Sequence, residues 1–464
     1  MLALIKDLLG IKSNNTGKSK GNFCLPIESI KDLVIAKDGV YRIVLKVSPV
    51  NGELLSDDSL EIVSDSIQRA LSLLDGRIGI YIQSEGINIE NNISFIEQYK
   101  LSINSEIKLI LLDEQKKHIQ SMASRSRNVL NFYTVFETRA QNFVSAQELL
   151  YDACQAFKAE LEAQDMYAEQ LYENDIKALL YERMNPQSSQ AEQFNSQWEI
   201  ENILPENAKI FKDGRNIEIE NRIYRFYCLV KYPATVESYR WLRRVFNTKG
   251  DINIAIILTP KNKATIAKEL SKAVNEIGAK ALDARKDESL RQKYQAEKES
   301  AVKMIAELGN ENIALYDTNI TISISAADIK ELNTLSNLLR SKISSVYCQA
   351  TELKYKRFEP FITTLPILAD NKITQNYVWN LTTKDISSLI PYDSSELMEP
   401  KGIFIGENVI SGGLVIIDTY NKIYNNPHEC IIADSGSGKS FRIKTDAIRP
   451  VSYTHLTLPT ILRV

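Results

Sequence analysis

Between residues 34 and 353 β-forming runs alternate with stretches of helical period, and the alternation is gone through twice. LVIAKDGVYRIVLKV, residues 33–47, places two β-forming runs around Lys37-Asp38-Gly39, a hairpin signal. SDDSLEIVSDSIQRALSLL, residues 56–74, opens on Ser and Asp and repeats its apolar positions with a helical period. RIGIYIQSE (77–85) predicts a strand, 91–127 mostly helix, VLNFYTVFET (129–138) a strand, and 145–184 one long polar helix ending at Asn185-Pro186. After a polar stretch, QSSQAEQFNSQ, the alternation restarts. NRIYRFYCLVKYP predicts a strand, SYRWLRRVF a helix and DINIAIILTP a strand. Residues 261–308 read as helical with a break at Gly278, NIALYDTNITISIS as extended, DIKELNTLSNLLRSK as a helix and VYCQATEL as a strand. Such alternation implies layered α/β or α+β packing. YRIVLKVSP (41–49) and YRFYCLVKYP (224–233) begin the two blocks alike, which is compatible with an internal duplication, although one matching pair does not establish it.

From residue 358 the helical periods stop. GIFIGEN and GLVIIDT flank Val409 to Gly412 as a hairpin, and CIIA then leads into ADSGSGKS, residues 433–440. That octet fits the phosphate-binding pattern G-x-x-x-x-G-K-[ST] with Ala433 at the first glycine position. Gly436 and Gly438 let the backbone curl so that consecutive amides converge on an anion. Lys439 can reach the outer phosphates as a point charge, and the Ser440 hydroxyl is a hard oxygen suited to Mg²⁺. A helix beginning near Lys439 adds the partial positive charge of its N-terminus. The candidate nucleotide contacts are therefore Ala433, Asp434, Ser435, Gly436, Ser437, Gly438, Lys439, Ser440 and Phe441, with Asp434 required to point outward; the expected ligand is ATP with Mg²⁺. A strand ahead of the loop and a helix after it, FRIKTDAIR, are part of the expectation.

Hydrolysis needs an acid at the end of a second apolar strand. LILLDE, ending at Asp113 and Glu114, and LVIID, ending at Asp418, both precede the loop and read as structural; nothing after residue 440 has the required form. No catalytic residue is assigned. VSYTHLTLPTILRV breaks from the preceding text, and reads either as an exposed strand or as a foreign tail. VSYTHLTLPT resembles one reading frame of a transposase-end adapter used in sequencing libraries, so the natural text is expected to stop near Arg449.

The stretch LIPYDSSELMEPKGIFIGENVISGGLVIIDTYNKIYNNPHECIIADSGSGKSF resembles the entry to the motor domain of the large VirB-type conjugative secretion ATPases, and DGVYRIVLKVSPVNGELLSDDSLE is similar to the N-terminal domain of their Gram-positive branch. The resemblance implies an α/β chain: an α+β N-terminal region followed by the start of a RecA-like P-loop domain. It further implies a cytoplasmic ATPase at the inner face of the membrane, hexameric when working, whose partners are the membrane components of a type IV secretion channel. The expected organisation is an amphipathic segment and linker at 1–22, a docking region at 23–186, a linker at 187–204, a second block at 205–355, the P-loop region at 356–449 and the tail at 450–464. A non-hydrolytic assembly scaffold and a DNA-translocating motor are the alternatives.

Composition narrows the rest. With a net charge of −3 no global field argues for nucleic acid or an anionic membrane. No apolar run exceeds five residues, well short of the roughly 20 that span a bilayer. Five scattered cysteines without C-x-x-C argue against a disulfide framework or a zinc site. In MLALIKDLLGIK the apolar positions Leu4, Leu8 and Ile11 suit a short helix, packed on its own protein or docking a membrane partner. Arg240, Arg243 and Arg244 fall on one face of the expected helix 238–246; a solvated face is the favoured reading, a nucleic-acid or anionic-lipid contact the sharper one. Asp287–Arg291 and Glu299–Lys303 read as i,i+4 pairs on a solvated helix, and His428 with Glu429 as neighbours of the loop that do not make a metal site.

Overall fold

The computed structural model describes residues 23–444 apart from 86–88, 102–105, 124–128, 192–193, 234–237, 249, 263–270, most of 281–312, 355–356, 395–396, 400–401, 409–413 and 419–429. The segment 1–12, the pairs involving Asp287, Arg291 and Lys303, His428 with Glu429, and the tail from 450 lie outside the described residues.

The first half runs β1 (Ile27–Ile30), β2 (Val34–Ala36), β3 (Tyr41–Val47), α1 (Asp57–Ser72), β4 (Ile78–Glu85), α2 (Glu90–Lys100), α3 (Glu106–Ala123), β5 (Val129–Thr138), α4 (Phe143–Glu162), β6 (Ala168–Gln170) and α5 (Glu173–Met184). The connecting stretch, expected as a linker, holds two single turns, α6 (Ser188–Ala191) and α7 (Ile200–Ile203). The second half runs β7 (Ala208–Ile210), β8 (Asn216–Ile219), β9 (Arg222–Lys231), α8 (Arg243–Phe246), β10 (Asp251–Pro260), β11 (Leu315–Ala326), α9 (Ile329–Ser345), β12 (Gln349–Glu352) and α10 (Glu359–Thr363). After them come α11 (Lys372–Asn376), β13 (Trp379–Thr382), α12 (Thr383–Ser387), β14 (Leu397–Met398), β15 (Ile403–Glu407) and β16 (Leu414–Ile417).

Both halves share one antiparallel sheet, in the order β1-β2-β3-β5-β4-β10-β11-β9-β8-β7. The order is palindromic: β1 to β5 in one half correspond to β7, β8, β9, β10 and β11 in the other. Short β6 and β12 complete the correspondence by pairing with β3 and β9. Val47 opposes Ala168 and Leu229 opposes Ala350, an offset of 182 in both members of the pair (229 − 47, 350 − 168). Tyr41 opposes Thr138 as Ile223 opposes Ala326, and Ile78 opposes Phe136 as Ile252 opposes Ile324. Following these ladders makes Tyr81 the counterpart of Ala255, and those two residues also face each other across the β4–β10 seam. A residue that opposes its own counterpart lies on a two-fold axis. The body thus has an internal pseudo-two-fold axis, as an internal duplication would give, and is closed at its centre by antiparallel pairing.

The repeat visible in the sequence is out of step with this one. Matching Tyr41-Arg42 to Tyr224-Arg225 requires an offset of 183, whereas the left-handed turns at Asp165 and Tyr347 give 182 (347 − 165), which the ladders accommodate. One residue of slip in a strand moves every side chain to the opposite face. Accordingly Ile43, Leu45 and Val47 lie in the same core as Tyr227 and Leu229, whereas Val44 lies with Tyr224, Phe226 and Cys228 in the other. The true repeat is plainer at the seam: Ile78, Ile80 and Ile82 correspond to Ile252, Ile254 and Ile256, all in one core.

Each face of the sheet carries helices because strand side chains alternate between two apolar sets. One core receives α1, α4, α8, α9 and α12; the other receives α5, α10 and α11. The helix starts follow their sequence signals. Ser56 caps the Ser59 amide at 3.3 Å, Asn142 the Ser145 amide at 2.9 Å, and Asp328 the Lys330 and Glu331 amides at 2.7 and 2.9 Å. Two polar side chains buried against the sheet are held by others: Asn319 donates to Tyr377 O at 2.6 Å and accepts from Thr321 at 2.8 Å, and Arg183 joins Glu85 at 2.5 Å beside the seam.

Two expectations are corrected. The continuous helix over 145–184 is two helices with β6 between them. Asp165 turns left-handed (φ 55°), the Met166 amide bonds back to Leu161 O at 3.2 Å, and the polar Ala-Glu-Gln then pairs with β3. The second half repeats the device at Tyr347 (φ 58°) and Cys348, whose amide bonds to Ile343 O at 3.2 Å. The break at Gly278 is absent, for residues 271–280 are helical throughout. Residues 359–394 pack into the body: β13 pairs with β11, and Ser387 of α12 meets Ser64 of α1 at 3.1 Å. No helix among the described residues is long and apolar enough to cross a membrane.

Candidate nucleotide-binding loop

The chain leaves the body at Asp393 and forms a small second sheet, in which β15 and β16 make the expected hairpin and β14 runs parallel to β16. This sheet rests on the α2–α3 hairpin of the first half. Phe404, Leu414 and Ile416 join Ile96, Leu112 and Ile119 in a third core, and Asn92 donates to Glu399 O at 2.9 Å.

The loop region resumes at Cys430. Ser435 and Gly436 form a turn, Ser437 and Gly438 a bend, and residues 439–444 a helix. Gly436 and Gly438 have φ of 81° and 90°, values that a side chain resists, while a Cβ at either would meet nothing within 4 Å. Their requirement is therefore conformational and not steric. The Ser437 amide and hydroxyl both donate to Asp434 O, at 3.3 and 2.6 Å, closing the turn. Lys439 folds back over the loop, its ammonium donating to Ala433 O and, at 3.2 Å, to Asp434 O. The Arg442 amide bonds to Gly438 O at 2.9 Å and begins the helical ladder. Ser440 is exposed in the first helical turn, and Phe441 beside it is 77% exposed.

The expected strand before the loop is not formed: residues 430–433 belong to no strand, and Ile432 is 90% exposed. A strand exists through its ladder, and no described strand pairs with this run. The backbone curl, the lysine and the helical start are nevertheless assembled by local sequence alone. The residue types fit a magnesium-bound polyphosphate: two glycines that admit the curl, one ammonium and one hydroxyl.

Of the acidic candidates, Asp113 and Glu114 are paired with lysines. Asp113 lies in α3, 2.6 Å from Lys100, whose hydrogen bond holds the carboxyl below the usual carboxylate range. Glu114 pairs with Lys117 at 3.1 Å. Asp418 follows β16, its amide bonded to Glu399 at 2.5 Å.

The arginine face dissolves. Only residues 243–246 are helical, and Arg240 is left-handed (φ 61°). Arg240 Nε donates to Asp393 at 2.7 Å and Nη1 to Gly52 O at 2.8 Å, while Asp393 accepts the Gly52 amide at 3.0 Å. Arg243 contacts Glu53, and Arg244 alone remains exposed. Two of the three cations thus clamp the point where the chain departs towards the loop. Sequence reasoning missed the clamp because Asp393 carries no motif and its partners come from loops some 150 and 340 residues away.

All five cysteines are free thiols. The chain matches no protein-family model and no curated protein sequence.

Proposed function

We propose that this chain is the N-terminal part of a conjugal-transfer ATPase of the VirB type, which binds ATP with Mg²⁺ at residues 433–441 and powers type IV secretion channel assembly or substrate transfer. In that reading Lys439 neutralises the outer phosphates, the amides around Gly436 and Gly438 cradle them, and Ser440 holds the metal. Magnesium supplies charge neutralisation on the phosphate oxygens. The loop would belong to a RecA-like domain, and the working protein would be a hexamer on the cytoplasmic face of the membrane, its body docked on channel components. The observation that supports nucleotide binding is the pair of left-handed glycines with Lys439 folded across them. A non-hydrolytic scaffold is the second reading, favoured by the loop standing off any described strand with Ile432 and Phe441 exposed.

Titration with labelled ATP and Mg²⁺ tests the first reading. Saturable uptake is expected, weakened at least about tenfold by Lys439→Ala, since hydrogen bonds to charged groups contribute about 1.5–3 kcal/mol. Turnover by this chain is expected to be negligible, because Asp113 is paired with Lys100 in α3 and no run of apolar residues ending in an acid follows the loop in this sequence. No saturable uptake would leave the scaffold reading standing.

A further inference from the structure

The turn that ends α9 borders a cleft of about 1130 Å³, which also takes in the end of β9, the start of α1 and the residues leading into α8. Its walls are aromatic and basic. Tyr239, Trp241 and Tyr347 line it together with Lys231 and Arg244, and Asp57 is the one acid among the described lining residues. Arg240 and Arg243 border it too, but Asp393 and Glu53 neutralise them. Lys231 and Arg244 are exposed and form no ion pair among the described residues. Tyr347 is the residue that calls for a reason. It is left-handed (φ 58°), a conformation that favours Gly, Asn or Asp, and its ring is 83% exposed, so packing does not offset the strain. The corresponding turn of the first half uses Asp165, an ordinary residue for that conformation. Trp241 is held from behind: its Nε1 donates to Ser388 Oγ at 3.2 Å, and the Tyr232 ring meets it edge-on with centroids 6.4 Å apart. The only donor of the indole is thereby engaged, which leaves ring surface for a ligand.

We propose that this cleft binds single-stranded nucleic acid, with bases stacked on Trp241 and Tyr347 and backbone phosphates held by Lys231 and Arg244. Every base has a π-face, so stacking on a ring accepts any sequence, and two unpaired cations supply the contact to the backbone. A duplex keeps its base faces stacked on one another, so the exposed rings select a single strand. An acidic peptide would satisfy Lys231 and Arg244 but has no planar group in each residue to lay on Trp241 and Tyr347. The site is not the arginine face read from the sequence. Of those three arginines only Arg244 takes part, and its companions come from the end of β9 and the turn after α9. The proposal rests on this cleft and is independent of nucleotide binding at the loop.

Fluorescence anisotropy of a labelled oligothymidylate of about 12 nucleotides, titrated with the full chain from about 50 mM salt upwards, tests it. Saturable binding is expected, with log K falling against log salt at a slope of about −1.4, since each phosphate contact on a single strand contributes about −0.7. Tyr347→Asn keeps a residue suited to the left-handed turn, and should weaken binding about fivefold or more while leaving the slope unchanged. Arg244→Gln should reduce the slope to about −0.7. Both positions are exposed, so neither change should lower the thermal midpoint. Lys439→Ala should leave binding as it is. Absence of saturable binding overturns the proposal, as does binding that neither cleft variant weakens. Binding lost in Lys439→Ala places the strand at the loop and overturns it equally. So does equal binding of a duplex of the same length. Displacement by polyglutamate as effective as by unlabelled oligothymidylate assigns the cleft to an acidic protein chain, and overturns it as well.

Discussion

The two halves of the sheet share strand order, register and helix placement, yet differ in the connection between their first and second long strands. Thirty residues lie between β3 and β4, but only 19 between β9 and β10 (48–77 against 232–250). The shortfall of 11 corresponds to about three helical turns, which is the difference between 16-residue α1 and four-residue α8. The space beside α1 is taken instead by α12, from a segment that follows both halves. Ser387 bonds to Ser64 at 3.1 Å, and Ser388 O accepts the Arg240 amide at 2.7 Å just ahead of α8. Duplicating a sheet preserves its ladders because each strand's register is set by its neighbours. The helical layer is freer, so the two halves differ there: α8 is about three turns shorter than α1, and α12 helps to cover the core.

Breaking the junction of the two halves should give the largest effect. Asp393 is 4% exposed and holds Arg240, itself 9% exposed, together with the Gly52 amide. Asp393→Ala leaves a buried guanidinium with only the more exposed Glu53, 3.5 Å away, as counter-ion and strips the Gly52 amide of its acceptor, and a loss of about 3 kcal/mol is expected in urea unfolding. Gly52 permits the approach, for a Cβ there would come within 2.7 Å of Arg240 Nε. A loss below about 1 kcal/mol would mean that the body does not depend on this clamp.

The next test sharpens the comparison at the seam. Ile80 and Ile254 are counterparts, 0% and 1% exposed, in the same core. Ile80→Ala and Ile254→Ala should each cost about 2–5 kcal/mol, and should agree to within about 1 kcal/mol if the two halves are packed alike. On the axis itself the halves cannot agree. Tyr81 and Ala255 oppose each other, and Tyr81 fills the shared space while its hydroxyl accepts the Leu368 amide at 2.9 Å. Near-equal losses from the isoleucines, beside this enforced asymmetry, would separate what symmetry maintains from what a single site forbids.

Much of the sheet was legible in the sequence. The Lys37-Asp38-Gly39 hairpin forms with Gly39 at φ 76°, and β5 spans the whole of VLNFYTVFET. These runs signal strands through local side-chain type. β6 was not legible, since Ala-Glu-Gln has no strand character and pairs only because Asp165 redirects the chain onto the free side of β3. The repeat was sensed at the wrong register: Tyr-Arg recurs by composition, whereas IGIYI and INIAI recur by position. At the loop, glycine φ and lysine placement follow from the motif, but the preceding strand depends on partners that no local pattern supplies.

The smallest effect contrasts one site across the halves by its titration. Cys348 ends α9 where the first half has Met166, and both are buried. Burial pushes the Cys348 thiol up to about 11, whereas an unfolded thiol titrates near about 8.5. Between those values the unfolded chain has released a proton that the folded chain keeps, so stability contributed by the neutral thiol is present below about pH 8.5 and is lost as the pH rises towards 11. Cys228, pushed up to about 12, adds a contribution of the same sign. Buried Tyr316 rises to about 12 from a phenol's ordinary 10, so its loss begins later. Thermal midpoints should therefore fall between pH 8.5 and 10, and Cys348→Met, which copies the first half, should flatten that fall without abolishing it. An unchanged slope would mean that the thiol reaches solvent in the folded state. A thiol-reactive dye at pH 8 distinguishes the cases directly: exposed Cys24 and Cys430 should react at once, and Cys348 only at the rate of unfolding.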